Sequence, residues 1–204
     1  MSESTKNNSE VTGGIDAFAL GIYSVNPDAK VYVKVTNSWY DPKGEEEAAK
    51  TLLNMNCDVI AQHCDTVYPQ TLAQEKGVYS IGYNSDMSKE TPKATLTSVI
   101  WNWSAYYTSA VQSVIDGTWD GSNYYGGMNE NLVSITPVAD FAADTTQEKV
   151  NVAKQQILSG KNGVFDGVIE TNTGATVGTA GKTLEDSVIT GGINWYFKTV
   201  SVIE

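Results

Sequence analysis

The chain has 204 residues, enough for one large domain or one and a half small ones. At 41% hydrophobic and 18% charged it has the apolar content for a packed core and is not a disordered polyelectrolyte. Its net charge of -11, with no cluster of Lys and Arg, argues against a nucleic-acid partner.

In chain order, residues 1–10 are polar and read as a loose tail. Residues 11–25 place Ile15, Phe18, Ala19 and Ile22 on one helical face, and Asn26, Pro27 and Asp28 end that helix. Residues 30–36 alternate Val31, Val33 and Val35 with polar neighbours and predict a strand. Asp41 is a suitable N-cap and Pro42 a suitable first residue for the next helix, with Glu45, Glu46 and Glu47 near its start and Ala48, Ala49, Leu52 and Leu53 as its apolar stripe. A strand at about 58–61, a short helix over 69–76 closed by Gly77, and strands over 78–82 and 94–100 follow. An amphipathic helix then runs to Ile115. Beyond Asp120 the sequence predicts short extended pieces at 124–127 and 132–135, and a helix over 145–158 with Val150, Ala153 and Ile157 inward. The Gly- and Thr-rich stretch 163–182 reads as a hairpin or loop excursion, and 193–203 as a closing strand. Strands alternating with helices over short connections imply an α/β fold, a parallel sheet flanked by helices.

Open parallel sheets bind ligands beyond the carboxyl ends of their strands. Those ends carry Asn37, Ser38, Trp39, Tyr40 and Asp41 after the first strand. Gln62, His63 and Asp65 follow the second, Tyr83, Asn84 and Asp86 the third, and Trp101, Asn102 and Trp103 the fourth. Each large aromatic carries roughly 150–250 Å² of surface. At ~25 cal/mol per Å², covering one is worth several kcal/mol. A flat heteroaromatic ring would cover such surface, and Asn, Gln and Asp would pair with its edge. Trp101 and Trp103, two residues apart, are expected to point in different directions.

Catalytic patterns are missing. The sequence has no Gly-x-Ser-x-Gly elbow, no phosphate loop and no His-Glu-x-x-His. His63, the single histidine, has Cys64 and Asp65 as neighbours, and adjacent side chains on extended backbone diverge. Cys57 and Cys64 make neither a disulfide framework nor a zinc ribbon and read as semi-buried thiols. No metal or other cofactor is implied. No stretch approaches the ~20 apolar residues of a membrane span, and no signal-peptide pattern opens the chain.

Several segments taken together resemble the basic membrane protein (BMP) family of solute-binding lipoproteins. They are Val-Asn-Pro-Asp-Ala-Lys-Val (25–31), Thr-Asn-Ser-Trp-Tyr-Asp-Pro (36–42), Asp-Val-Ile-Ala-Gln-His-Cys-Asp (58–65) and Gly-Val-Tyr-Ser-Ile-Gly-Tyr-Asn-Ser-Asp-Met (77–87). Leu-Thr-Ser-Val-Ile-Trp-Asn-Trp (96–103), Tyr-Gly-Gly-Met-Asn-Glu (125–130) and Asn-Trp-Tyr-Phe (194–197) complete the set. The resemblance implies a periplasmic-binding fold of type I, two α/β lobes closing on a solute. It also implies capture of purine nucleosides or bases, delivery to an ABC permease, and an extracytoplasmic, lipid-anchored full-length protein. It assigns base stacking to Trp39 and ribose contact to Asp86. Where nucleoside binders of the family carry a lysine this chain has Trp101, which favours a free base such as adenine. The family's amino-terminal lobe is expected to be missing from this chain. The expected layout is therefore a tail (1–10), one α/β ligand-binding lobe of three-layer α/β/α type (11–160), and a hairpin with a returning strand (161–204) packed at the hinge or on the lobe. A lone lobe covers only one face of a ligand, so weak binding is expected. Alternatives are a signalling domain of the same fold, a nucleoside hydrolase using Asp65 and Asp86, or a non-functional gene fragment.

Overall fold

The computed structural model describes residues 8–203. The first helix, α1 (Ser9–Val25), starts within the stretch expected to be a loose tail, because Asn8 caps it by accepting from the Glu10 backbone N–H at 3.1 Å. Residues 1–7 lie outside the described residues. The buried face of α1 is Val11, Thr12, Ile15, Asp16 and Ala19, whereas Phe18 and Ile22, expected to face inward, are half-buried. The helix is rotated toward the end of the chain. Val11, Ile15 and Ala19 share one core with Val33, Phe165, Ile169, Ile193, Phe197 and Val200.

Strand β1 (Val31–Lys34) is followed by α2 (Pro42–Asn54), β2 (Val59–Ala61), α3 (Tyr68–Lys76), β3 (Tyr79–Gly82) and β4 (Thr95–Trp101), close to the predicted positions. Strands β2, β3 and β4 are parallel, and β5 (Val133–Ile135) adds an antiparallel edge. The α/β class holds, but the expected single sheet is divided. β1 pairs in parallel with β8 (Val200–Ile203) rather than with β2. A second core of Leu53, Ile60, Ala73 and Ala94 joins α2 and α3 to this four-stranded sheet.

Helices α4 (Ser104–Ile115) and α5 (Thr146–Leu158) form where the sequence places them, yet neither buries a residue. Ala153 and Ile157, expected inward, are exposed, and Val150 is half-buried. Periodicity gives a helix its apolar stripe, but a stripe is buried only when another element faces it. Ala110, Val111, Val114 and Ile115 of α4, with Trp119 beyond its end, line an open groove of about 300 Å³.

The expected hairpin is present as β6 (Asp166–Glu170) and β7 (Thr176–Thr183). Helix α6 (Asp186–Gly191) was not anticipated. The closing strand is limited to β8. Residues 193–199 are irregular, with Ile193 and Phe197 buried as anchors. The Phe197 backbone N–H donates at 2.7 Å to Asp16 Oδ1 on α1, so a side chain takes the donor that a longer strand would have used. The predicted extended piece at 124–127 is also irregular, and the Tyr124 ring stacks on Tyr106 at 4.5 Å.

Candidate functional site

The carboxyl ends of β1, β2 and β3 bring three rings together. Trp39 and His63 lie with centroids 6.0 Å apart, and His63 and Tyr83 4.5 Å apart. All three residues are half-buried. The row continues through Asn84, whose Oδ1 accepts from the Trp101 indole N–H. Trp101 stacks on Trp103 at 5.2 Å, and Trp103 on Tyr107 at 5.8 Å. This stack corrects the expectation that the two tryptophans diverge. Trp101 ends a strand, but Trp103 has helical backbone angles (φ -60°, ψ -21°), so strand alternation does not govern the pair.

The loops carrying these rings are fastened below. Asp41 Oδ1 accepts from Gly44 N–H at 3.1 Å, which caps α2. Glu45, only 1% exposed, accepts from the Asp41 N–H at 3.1 Å through Oε1. Its Oε2 accepts from the Thr66 N–H at 3.2 Å and the Thr66 hydroxyl at 2.6 Å. The loop after β1 and the loop after β2 thus meet on one buried carboxylate, and the Asp65 N–H donates to the Trp39 carbonyl at 2.9 Å. Asn37 and Asn84 take left-handed backbone (φ 56° and 59°), a conformation asparagine tolerates better than most residues.

The remaining predicted residues have other surroundings. Gln62 donates both amide hydrogens within its own loop, to the Cys64 carbonyl at 2.8 Å and the Thr66 carbonyl at 2.6 Å. Asp65 and Tyr40 are exposed and Asn37 is at the surface. Asp86 is exposed and accepts from the Ser88 N–H at 3.0 Å and hydroxyl at 2.6 Å, which hold its carboxyl below the usual range. Cys57 and Cys64 are free thiols. Tyr83, expected only as a strand-end residue, is central here, and its place against His63 has no sequence signal.

Burial sets the charge of this wall. It pushes His63 down to about 4, so the imidazole is neutral near pH 7, and it raises Tyr83 to about 12. The wall therefore offers neutral rings rather than charges. Among the described residues no group of three His, Cys, Asp or Glu is placed to hold a metal ion. No described helix is long and apolar enough to cross a membrane.

An α/β lobe with ring-bearing loops at one end of its strands has the architecture of a solute-binding domain. The sequence profile described as ABC transporter substrate-binding protein PnrA-like (Bmp) matches residues 6–164, and the chain belongs to that family. The chain is similar to a purine-binding protein of Brucella abortus (strain 2308), 37% identical over 187 residues, covering 92% of this chain and 53% of the relative. It is also similar to TsgA13 of Haloferax volcanii, named as an ABC transporter glucose-binding protein. There the identity is 34% over 158 residues, covering 78% of this chain and 40% of the relative. The chain thus spans about half the length of the curated relatives it matches. Among solved structures, a solute-binding protein of an ABC transporter system from Conexibacter woesei aligns with TM-score 0.54 at 18% identity, over 76% of this chain and 61% of that one. A transcriptional activator of the comK gene from Bacillus halodurans aligns with TM-score 0.60 at 17% identity, over 74% and 63%. These structural likenesses carry the fold alone.

Proposed function

We propose that this chain is the ligand-capturing part of an extracytoplasmic solute-binding protein that hands a purine, a free base in preference to a nucleoside, to an ABC permease. The observation that carries the reading is the Trp39–His63–Tyr83 cluster at the strand ends, extended through Asn84 to Trp101. A planar nitrogenous ring would gain by stacking on it and by displacing poorly held water. The purine-binding relative supports this solute class, and the family supports transport. The base preference rests on Trp101, whose indole N–H is tied to Asn84 where the resemblance calls for a lysine. With Asp86 engaged by Ser88, ribose recognition has little left to build on. Binding acts without chemistry on the solute.

The test is a titration of the purified chain with adenine, guanine, hypoxanthine, adenosine and glucose, read by tryptophan fluorescence and calorimetry. Glucose is included because of the name of the Haloferax relative. The expected outcome is weak binding, with adenine preferred over adenosine and the signal lost in Trp39→Ala. A preference for glucose, or binding unaffected by Trp39→Ala, refutes the reading. Adenosine incubated with the chain is expected to stay intact by chromatography, and release of adenine would show an enzyme instead.

A further inference from the structure

Helix α1 passes directly behind the ring wall, and the residue it presents there is Gly14. A Cβ built at position 14 would lie 2.7 Å from His63 Nε2 and 3.1 Å from Cδ2 of the same ring. Carbon does not approach an imidazole that closely, so one of the two must give. The backbone of α1 is held by the Asp16–Phe197 hydrogen bond and by the burial of Val11, Ile15 and Ala19 in the core. Among the described residues the ring packs against Trp39 and Tyr83, and its Nδ1 is sealed from solvent without a hydrogen-bond partner. The imidazole is therefore the part that would move.

We propose that Gly14 is a positioning residue for the binding wall: the missing side chain leaves the space in which the His63 imidazole lies between Trp39 and Tyr83, and any side chain there turns the ring out and opens the wall. Glycine inside a helix carries a known cost relative to alanine. That cost has a reason here if the close approach of α1 to the ring is needed. The proposal places α1, and through Phe197 the end of the chain, in mechanical contact with the surface on which a flat solute would stack. Its ligand consequence rests on the proposed function; the seating of the ring does not.

His63 is the single histidine of the chain, so its imidazole proton resonances can be read by NMR without assignment. In the native chain burial holds the group at about 4. The ring's neighbours across the wall, Trp39 and Tyr83, carry no charge at that pH, and Cys64 and Asp65 adjoin it in the chain. In Gly14→Ala the imidazole is expected to titrate well above its native value, toward the ordinary 6.5, with tryptophan fluorescence altered and purine binding reduced by at least about tenfold, the order expected when one stacking partner is displaced. A His63 titration and purine affinity unchanged in Gly14→Ala would overturn the proposal.

Folding is separated from seating by a double-mutant cycle. Gly14→Ala in the His63→Ala background is expected to be at least as stable as His63→Ala alone, because the group it clashes with is gone. If Gly14→Ala destabilises both backgrounds equally, the clash is not with the imidazole and the proposal falls. A native chain that shows the NMR shift on Gly14→Ala but binds no purine would refute the proposed function and leave the positioning role standing.

Discussion

Two buried titrating groups should make the stability of this protein flat over a pH window in which each alone would tilt it. Asp16 is fully buried on α1 with one donor, the Phe197 N–H, for its two carboxyl oxygens, and burial raises it from 3.8 to about 7. His63 is lowered from 6.5 to about 4. Between pH 4 and 6.5 the folded state holds a proton on Asp16 that the unfolded state has released, so this group favours folding at low pH and its contribution is lost as pH rises through 7. Over the same window the unfolded state holds a proton on His63 that the folded state lacks, so that group favours folding at high pH. One proton of difference tilts stability by about 1.4 kcal/mol per pH unit. The opposite signs leave a net slope near zero from 4 to 6.5, and a decline above it where only Asp16 still titrates. Solvent near the half-buried imidazole, and relaxation of the protein around Asp16, reduce each arm to about 2 kcal/mol over the window. Asp16→Asn and His63→Asn remove one arm each. Urea unfolding of native and variant chains from pH 4 to 8 gives difference curves in which the other carboxylates cancel. Relative to native, Asp16→Asn should gain stability as pH rises and His63→Asn should lose it. Parallel curves for native and Asp16→Asn would show that Asp16 is not a buried acid and refute the reasoning.

Other outcomes follow from single contacts. Gly82→Ala drives a Cβ into the buried Ser98 hydroxyl and to 2.8 Å from the Ser98 Cβ, and should cost about 2–3 kcal/mol in thermal or urea unfolding. Ser98→Gly in the same chain should recover part of that loss, and Ser98→Ala should recover less. Trp101→Lys restores the cation that the resemblance expects and frees Asn84, so calorimetry should show the adenosine-to-adenine affinity ratio rising by about fivefold, roughly one kcal/mol. An unchanged ratio would remove Trp101 from the basis for base preference.

The strand–helix alternation from residue 30 to 115 was legible because each of those elements carries its own signal: Val31, Val33 and Val35, the Asp41–Pro42 helix start, and Gly77 at a helix end. The strand ends and their aromatics were legible for the same reason. What escaped was everything fixed by distant partners. The inward face of α1 is set by Phe165, Ile193 and Phe197, more than 140 positions away, and not by its own periodicity. No local pattern marks Asp16, which joins α1 to the last segment. Residues 193–199 alternate like a strand but spend their apolar side chains as anchors. Helices α4 and α5 form where the sequence places them, but the inward face expected of α5 is not buried, because burial depends on a neighbour that no local pattern specifies. At the site, Gln62 has the chemistry of a ligand-reading amide, but its hydrogens are committed to Cys64 and Thr66.

The buried carboxylates Glu45 and Asp16 show how the donor count decides what a conservative change does. The two oxygens of Glu45 meet three donors: the Asp41 N–H, the Thr66 N–H and the Thr66 hydroxyl. In Glu45→Gln one oxygen becomes an NH2 group that must face an N–H, either that of Asp41 or that of Thr66, and a buried donor is left without an acceptor. Such a loss costs about 1–3 kcal/mol, more where the lost acceptor was charged. Rotating the amide moves the conflict from one side to the other and does not remove it. Asp16 meets one donor, so Asp16→Asn keeps the acceptor for the Phe197 N–H and discards a charge whose burial costs more than leaving an amide NH2 unpaired where Oδ2 already has no partner. At pH 8 the same carboxylate-to-amide exchange is therefore expected to destabilise the chain at position 45 and stabilise it at position 16. Because Glu45 joins the loops of Trp39 and His63, Glu45→Gln should also weaken purine binding, while Asp16→Asn should not. Urea midpoints for the two variants moving in the same direction at pH 8 would show that donor count does not govern these sites.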